Sequence, residues 1–228
     1  MTNVCAALAF LLLFVGCSSP SEVPAPRQEP WDTVELPQPR LAGSVSVEEA
    51  LLDRRSVRQY SDDSLSLEEA SQLLWAAQGV TADWGGRTAP SAGALYPLEL
   101  YLVAVRIEGL DAGVYRYVPN GHELVVVRRG NVSRELTGAA LDQGSVRAAA
   151  AVLVFTAVYE RTTVKYSERG IRYVHMEAGH AAQNVLLQCS GLGLGCVVVG
   201  AFDDDALRDV LNAPAEETPL YLIPVGRV

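Results

Sequence analysis

A short basic segment is the part of this chain whose residue types suggest chemistry most clearly. It reads Arg54-Arg55-Ser56-Val57-Arg58, three guanidinium groups and one hydroxyl in five positions. The sequence holds 18 Lys and Arg against 27 Asp and Glu, a net charge of -9, so such a dense group of cations is unusual for it. Guanidinium groups match phosphate oxygens with paired hydrogen bonds. The segment predicts a site for one small anion, best a phosphate ester, unless Arg54 and Arg55 simply complement the dipole at a helix end.

A second segment, residues 87–97, has the composition of a loop that could hold a flat ligand. It contains Pro90 and Pro97, with the small residues Ala92, Gly93 and Ala94 between them. Small side chains let backbone amides approach a ring system closely, as a ring with oxygens and nitrogens along its edge requires. Taken alone, the segment also fits an ordinary structured loop.

Two helices are predicted on either side of the basic segment. Ser46 with Glu49, and Ser66 with Glu69, have the spacing of capping boxes, and each pair opens an apolar run with helical periodicity. The first helix leads into the basic segment, and the second ends at Gly79.

The rest of the pattern mixes helices and strands without a strict alternation. Strands are predicted at 99–105, 114–118, 123–127, 149–157, 196–199 and 220–225. Further helices are predicted at 131–141, with Ser133 as its cap, at 171–190 and at 204–211. The fold class that follows is α+β.

The first 43 residues differ from the remainder. Residues 1–16 contain an apolar run too short to span a bilayer but typical of a secretory signal. The sequence at 13–17 resembles a bacterial lipobox, which implies cleavage and a lipid anchor at Cys17 in the cell envelope, facing the periplasm or exterior. No basic residue precedes the apolar run, so a misassigned start or an uncleaved anchor stays an alternative. Residues 17–43 are rich in proline and predict a tether, and 44–228 form one domain.

Several kinds of site are excluded or disfavoured. The acidic chain lacks the extended basic face that nucleic acid requires. His175 and His180 are five residues apart on a predicted helix, so they cannot bind one metal ion together, and no metal site is predicted. Cys189 and Cys196 lie in apolar surroundings and are interpreted as buried thiols rather than a disulfide.

Four blocks together resemble the FMN-dependent nitroreductase superfamily and, within it, the SagB/ThcOx-type branch of thiazoline and oxazoline dehydrogenases. They are RRSVRQY at 54–60, APSAGALYPLELY at 89–101, KYSERGIRYVHMEAGHAAQN at 165–184 and GLGLGCVVVGAFDD at 191–204. The resemblance implies a nitroreductase-like fold, a central mixed or antiparallel sheet flanked by helices, in a homodimer with flavin at the subunit interface. It implies FMN as the cofactor, with NADH or NADPH as the candidate electron donor.

The resemblance also implies roles for particular residues. Contacts to the FMN phosphate and ribityl chain are implied for Arg54, Arg55, Ser56 and Arg58. A loop lying along the isoalloxazine ring is implied for Pro90, Ser91, Ala92 and Gly93. Backbone N–H groups facing the reactive edge near N5 are implied for Gly200 and Ala201. The family often has Asn where Ala94 stands here, and Arg227 is the basic residue near the C-terminus that could also face the phosphate.

Lys165-Tyr166 resembles the pair that azoline dehydrogenases use for proton removal while hydride passes to flavin. A lysine desolvated beside a flavin could have its pKa lowered enough to act as a base, and the phenol could relay a proton. The alternative is a solvated lysine next to a packing tyrosine. Glu177 and His180, three residues apart, are interpreted as a core contact.

The expected function is that of an FMN-dependent oxidoreductase that passes hydride through flavin N5 by a ping-pong mechanism. Its substrate would be a small molecule, since an exported chain would not meet a cytoplasmic precursor peptide. The direction is open between a reductase and a dehydrogenase with Lys165 as base. The alternative from another class is a non-catalytic flavin-binding or scaffold lipoprotein that retains the fold.

Overall fold

The computed structural model describes residues 32–228, and a seven-stranded antiparallel sheet runs through this part of the chain. The strands are β1 (Thr33–Glu35), β2 (Leu98–Ala104), β3 (Gly113–Val118), β4 (Glu123–Arg129), β5 (Ala151–Ala157), β6 (Leu194–Cys196) and β7 (Thr218–Arg227). Their order across the sheet is β1-β4-β3-β2-β5-β7-β6. The helices are α1 (Val47–Asp53), α2 (Leu67–Gln78), α3 (Ser133–Ala139), α4 (Gly144–Ala148), α5 (Glu160–Tyr166), α6 (Arg169–Gly191) and α7 (Asp204–Leu211). The α+β prediction is confirmed.

Both faces of the sheet are covered by helices. Along β2, Leu100 and Leu102 pack into one hydrophobic core, and the alternate residues Tyr101 and Val103 pack into another. Helices α2 and α6 close the first core, and α3, α4 and α7 close the second. Because both faces are buried, functional groups must lie at the edges and ends of the sheet.

The two capping boxes form as predicted. The Ser46 and Ser66 hydroxyls accept hydrogen bonds from the backbone N–H groups of Glu49 and Glu69, and each glutamate accepts one in return from its serine. Gly79 follows the last residue of α2, again as predicted. Helix α1 ends at Asp53, so the basic segment begins directly beyond its last turn.

Residues 33–40 pack on the sheet, whereas the sequence predicts a tether there. β1 pairs with β4, and the Leu36 side chain is only 5% exposed. The Pro37 carbonyl accepts a hydrogen bond from the Ser71 hydroxyl at 2.6 Å. An edge strand can be this short and can end at a proline, because its outer N–H groups need no partner in the sheet. The predicted signal peptide, Cys17 and the earlier part of the tether lie outside the described residues.

Other elements differ from prediction in their bounds. The third helix begins at Ser133 with Val132 as its N-cap residue, and the Ser133 N–H donates to the Asn131 side-chain oxygen, so the Ser133 hydroxyl is not the cap. The predicted strand at 196–199 is replaced by β6 and a single bridge between Val199 and Leu222. Helices α4 and α5 have no counterpart in the prediction, because each is short and lacks a clear periodic apolar pattern.

Cys189 and Cys196 are buried free thiols, as predicted, and burial raises the pKa of Cys189. Within residues 32–228, no cluster of three or more His, Cys, Asp or Glu side chains is arranged to hold a metal ion. The same part of the chain contains no helix with the length and apolar character needed to cross a membrane.

Candidate active site

The backbone of the basic segment, residues 54–58, is held against the end of the edge strand β6. The Val57 N–H donates to the Cys196 carbonyl at 2.9 Å. The Tyr60 hydroxyl lies 2.8 Å from the Val57 carbonyl oxygen and 3.1 Å from that of Pro224, and can donate to either. A Cβ added at Gly195 would come within 2.8 Å of the Val57 side chain, so the segment sits close against the sheet.

The three arginines of the segment differ in how they are engaged. Arg55 donates to the Leu52 carbonyl at 2.7 Å and to the Arg54 carbonyl at 2.9 Å, which satisfies an acceptor at the end of α1. Arg58 makes only a long contact, 3.4 Å, to the Ser56 carbonyl. Within residues 32–228, the Arg54 side chain makes no hydrogen bond or ion pair. Arg54 and Arg58 can therefore bind an anion, whereas Arg55 fits the helix-end alternative.

Arg227 does not face the basic segment. Its guanidinium donates to the Ser64 carbonyl at 3.0 Å and pairs with the Glu69 carboxylate at 2.9 Å. The Nε and Nη2 atoms of Arg227 are thus engaged by other groups, and its role as a phosphate contact stays a prediction.

The turn at Gly200 and Ala201 is connected through Gln143 to a cleft beside the basic segment. Gln143 donates to the Ala201 carbonyl at 2.7 Å. The same Gln143 lines a cleft of about 570 Å³ together with Arg58 and Tyr60. Among the described residues, no acceptor binds the N–H groups of Gly200 and Ala201, so both remain available to a ligand.

The loop at 87–97 has an unusual backbone at its centre. The φ angle is +65° at Gly93, +54° at Ala94 and +45° at Tyr96. The Ser91 hydroxyl accepts a hydrogen bond from the Tyr96 N–H at 2.9 Å and so closes the loop. For a residue with a side chain, left-handed geometry costs about 1–2 kcal/mol. Such strain is concentrated at ligand clamps and active sites, which marks this loop as a candidate functional element.

Lys165 and Tyr166 end helix α5, and both reach this loop. A Cβ added at Gly93 would lie 2.8 Å from Lys165 Nζ and 2.9 Å from the Tyr166 hydroxyl oxygen. A side chain at position 93 would therefore be strained by the positive φ angle and would displace the ends of Lys165 and Tyr166. The structure brings together a loop and a Lys-Tyr pair that are about 70 positions apart in the sequence.

Lys165 has a further property that the sequence alone shows. It is the only lysine in the chain, since the other 17 of the 18 Lys and Arg residues are arginines. Arginine carries a permanent charge, whereas lysine carries a primary amine, the group that catalytic lysines use. The retention of one lysine beside Gly93 therefore favours a chemical role for its amine.

Glu177 is a buried carboxyl near this loop that sequence reasoning missed as a site residue. Its side chain is 3% exposed, and Oε1 has no hydrogen-bond partner in the described part of the chain. Burial raises its pKa to about 7, although the Ser91 hydroxyl and the Arg87 guanidinium act in the opposite direction. A perturbed carboxyl of this kind is a functional-site candidate.

The predicted core contact between Glu177 and His180 is wrong, because His180 is exposed while Glu177 is buried. A signal for Glu177 was present in the sequence. It shares the helical spacing of the buried residues Val174, Ala178 and Ala181, so a charged residue stands in an apolar stripe.

The basic segment and the loop lie at opposite ends of the sheet. Cys196, which binds the basic segment, pairs with Val225 of β7. The loop leads into β2 at Leu98, which is aligned through Ala157 of β5 with Thr218 of β7. Val225 and Thr218 are seven residues apart along one strand, which corresponds to about 23 Å at 3.3 Å per residue.

Comparison with known proteins shows to which family the chain belongs. Residues 51–227 match the model of the nitroreductase family. The chain belongs to the nitroreductase family. This confirms the resemblance that the four sequence blocks carry, and it makes the protein an oxidoreductase by family.

Individual members of the nitroreductase family resemble the chain over different lengths. A protein of Methanocaldococcus jannaschii named as a nitroreductase is 48% identical over 196 residues, which cover 86% of this chain and 98% of that protein. The microcin B17-processing protein McbC of Escherichia coli is 32% identical over 133 residues, 55% of this chain and 48% of McbC. A solved structure from Ralstonia eutropha, described as a nitroreductase, has a TM-score of 0.74 at 29% identity and covers 86% of this chain and 89% of its own.

Proposed function

We propose that the chain is an FMN-dependent oxidoreductase of SagB type that passes hydride through flavin N5 in two alternating half-reactions. The observation that supports this most is the contact of Lys165 and Tyr166 with Gly93. This contact places the Lys-Tyr pair, which is expected to move a proton, against the loop that is expected to lie along the flavin ring. FMN, when bound, supplies N5 as the atom that accepts and releases hydride.

The residues that would hold FMN fit its chemistry. Arg54 and Arg58 have guanidinium donors free for a phosphate, and the Ser56 side chain beside them is exposed. The unused N–H groups of Gly200 and Ala201 suit the nitrogen and oxygen atoms along the edge of a flavin, where donors favour the electron-rich reduced form. Arg55 is assigned to the end of α1 rather than to the phosphate.

A homodimer with shared flavin sites is part of the proposal, because the family resemblance implies one. Seven single bonds link the ring and the phosphorus of FMN, which span about 8 Å when extended, judging from a backbone of as many bonds. The basic segment and the loop at 87–97 are about 23 Å apart along the sheet within one chain. The ribityl chain alone does not span this distance, and we propose that the loop of one subunit completes the site formed by Arg54 and Arg58 of the other.

Lys165 and Tyr166 are proposed to handle the proton while hydride leaves the substrate. The amine of Lys165 would take a proton from the substrate, and the Tyr166 hydroxyl, within the same contact with Gly93, would donate or relay one. The Tyr166 ring is held edge-to-face against Tyr173 at a centroid distance of 5.1 Å. Lys165 is exposed in the single chain, so exclusion of water depends on the flavin and the second subunit.

The first test is the flavin itself. The purified protein should show a flavin absorption spectrum or acquire one with added FMN, and NADH or NADPH should bleach it if the chain is a reductase. A colourless protein that does not take up FMN would contradict the proposal. Bound flavin that neither nicotinamide reduces would favour a dehydrogenase or a non-catalytic flavin-binding role.

Lys165→Ala separates a dehydrogenase from a non-catalytic flavin-binding protein. In a dehydrogenase we expect turnover to fall by about 10²–10⁴-fold, the usual contribution of a general base, with FMN affinity retained. Val164→Ala is the matched control, because Val164 precedes Lys165 on the same helix and is 85% exposed. Unchanged turnover in Lys165→Ala would remove the proposed role of the amine.

The envelope location is a separate proposal, which rests on the sequence at 13–17. With a lipid on Cys17, the wild-type chain would fractionate with membranes and take up labelled fatty acid, and Cys17→Ala would do neither. Equal distribution of the two forms would contradict the anchor.

A further inference from the structure

We infer that the substrate that reaches Lys165 carries an anionic group, a carboxylate, sulfonate or phosphate, and that Arg169 and Arg172 bind it. This inference rests on the proposed function of the Gly93–Lys165 site and specifies the class of substrate. It concerns the first two turns of α6, which begin three residues after the end of α5 at Tyr166.

Aromatic contacts connect Arg169 with the Lys-Tyr pair. The Tyr166 and Tyr173 rings meet edge-to-face, with centroids 5.1 Å apart. On Tyr173, the Arg169 guanidinium carbon lies 5.7 Å from the ring centroid, within the range of a cation–π contact. Arg169 is therefore oriented by the same pair of rings that positions the Tyr166 hydroxyl at Gly93.

A cleft is present at these arginines. It has a volume of about 440 Å³ and is lined by Glu168, Arg169, Ile171, Arg172 and His175. That volume lies within the range of sites for small molecules. The His175 ring is fixed by a contact of 2.6 Å between its Nε2 and the Tyr159 hydroxyl. The wall of the cleft thus presents two permanent cations, with Glu168 as its one carboxylate.

Ten of the sixteen arginines in residues 32–228, Arg169 and Arg172 among them, have no ion pair with Asp or Glu. The chain has a net charge of -9, and six of its arginines form ion pairs with Asp or Glu elsewhere in the described residues. Arg169 and Arg172 are both exposed, and neither has such a partner within residues 32–228. Because the surrounding surface repels anions, two uncompensated cations beside the site provide a local point of attraction for an anionic substrate.

The anion can belong to either of two reactants. A nicotinamide nucleotide carries phosphates, and an acceptor or donor substrate can carry a carboxylate or sulfonate. The recognition chemistry is the same in both cases, because a guanidinium group binds each of these through paired hydrogen bonds. The experiment below distinguishes the two sources.

The first measurement is binding without turnover. Because Lys165 is the only lysine, an N-hydroxysuccinimide ester labels a single side-chain amine, and mass spectrometry gives its rate. We expect 4-nitrobenzoate to slow the labelling of Lys165 in the wild-type protein and in Arg134→Gln, an exposed control arginine on α3. The double variant Arg169→Gln/Arg172→Gln should lose this protection, whereas the uncharged probe nitrobenzene should act equally on all three proteins. Equal protection of the wild type and the double variant, both by 4-nitrobenzoate and by NADH, would overturn the inference.

The second measurement is kinetic and uses the flavin-loaded enzyme. With dihydronicotinamide riboside, which has no phosphate, as donor, we expect the double variant to lose at least 10-fold in kcat/KM for 4-nitrobenzoate relative to nitrobenzene. If the double variant instead loses kcat/KM only when NADH replaces the riboside as donor, the bound anion is the nucleotide phosphate. No selective loss for either anion would contradict the inference.

Two further outcomes separate this inference from its alternatives. If the double variant changes the oligomeric state, the arginines belong to a contact between subunits and the inference is wrong. If the protein does not bind FMN, the proposed function fails, but the labelling result still decides whether Arg169 and Arg172 bind anions beside Lys165.

Discussion

The basic segment and the loop at 87–97 are built in opposite ways. In the basic segment the backbone is tied to the sheet through Val57 and Cys196, and the side chains of Arg54 and Arg58 extend from it. In the loop the backbone itself forms the surface, and Lys165 and Tyr166 close on it from another element. One end of the sheet therefore presents arginine side chains on a fixed backbone. The other end presents a loop backbone beside a lysine amine and a tyrosine hydroxyl.

The two regions also differ in their buried titratable groups. Near the loop, burial raises the pKa of Glu177 to about 7, within the physiological range. Beside the basic segment, burial raises the pKa of Tyr60, so this phenol stays neutral at any pH at which the protein is studied. We therefore expect pH to affect the region around the loop and to leave the anion-binding region unchanged.

The largest effect is expected in the basic segment. Arg54→Gln with Arg58→Gln should reduce FMN affinity by at least 100-fold, because a hydrogen bond to a charged group contributes about 1.5–3 kcal/mol. Titration of FMN by calorimetry or fluorescence measures the loss. Arg55→Gln is the control and should change the affinity by less than 10-fold, because Arg55 binds carbonyls at the end of α1. An equal loss in Arg55→Gln would mean that all three arginines bind the phosphate.

The second effect concerns the shape of the loop. Gly93→Ala should reduce turnover by about 10-fold or more, because a displacement of the reacting groups by about 1 Å can cost 100-fold. Gly109→Ala is the control, since Gly109 has a φ of +77° but open space around its Cβ position. Both variants should lose about 1 kcal/mol of stability from the positive φ. Loss of turnover in Gly109→Ala as well would show that backbone strain, and not the collision at Lys165, is responsible.

The third prediction uses the pH dependence of stability. Glu177 is expected to stay protonated in the folded chain up to pH about 7, whereas in the unfolded chain it ionises near 4.5. The folded state therefore holds more protons between these values, and the free energy of unfolding should fall as pH rises from 4.5 to 7, by about 2 kcal/mol. Glu177→Gln should remove this slope in denaturant unfolding measured across that range. Glu216→Gln, at an exposed position, is the control, and an unchanged slope in Glu177→Gln would contradict the burial argument.

The smallest effect is expected at Tyr60. Tyr60→Phe removes a hydroxyl that contacts two carbonyls and should lower stability by about 1 kcal/mol. FMN affinity should change by less than about threefold, because the Val57–Cys196 hydrogen bond still holds the segment. A large loss of affinity would show that the basic segment is less firmly supported than the contacts of Val57 indicate.

Local patterns predicted much of the fold. The capping boxes at Ser46 and Ser66, and the long α6, form close to their predicted bounds, because capping and periodicity act over a few neighbouring residues. Helix α5, which carries Lys165, was missed because its seven residues include two threonines and no apolar stripe. The packing of residues 33–40 on the sheet was missed because a proline-rich composition does not distinguish a tether from an extended edge segment.

The sequence by itself determined the family motifs, the basic character of residues 54–58 and the presence of a single lysine beside a tyrosine. Only the tertiary structure decided that Lys165 meets Gly93, that Glu177 is buried close to the same loop, and that the basic segment lies at the other end of the sheet. These relations depend on strand register and on helices packed across the sheet. They join residues far apart in the chain, so no local pattern of residue types contains them.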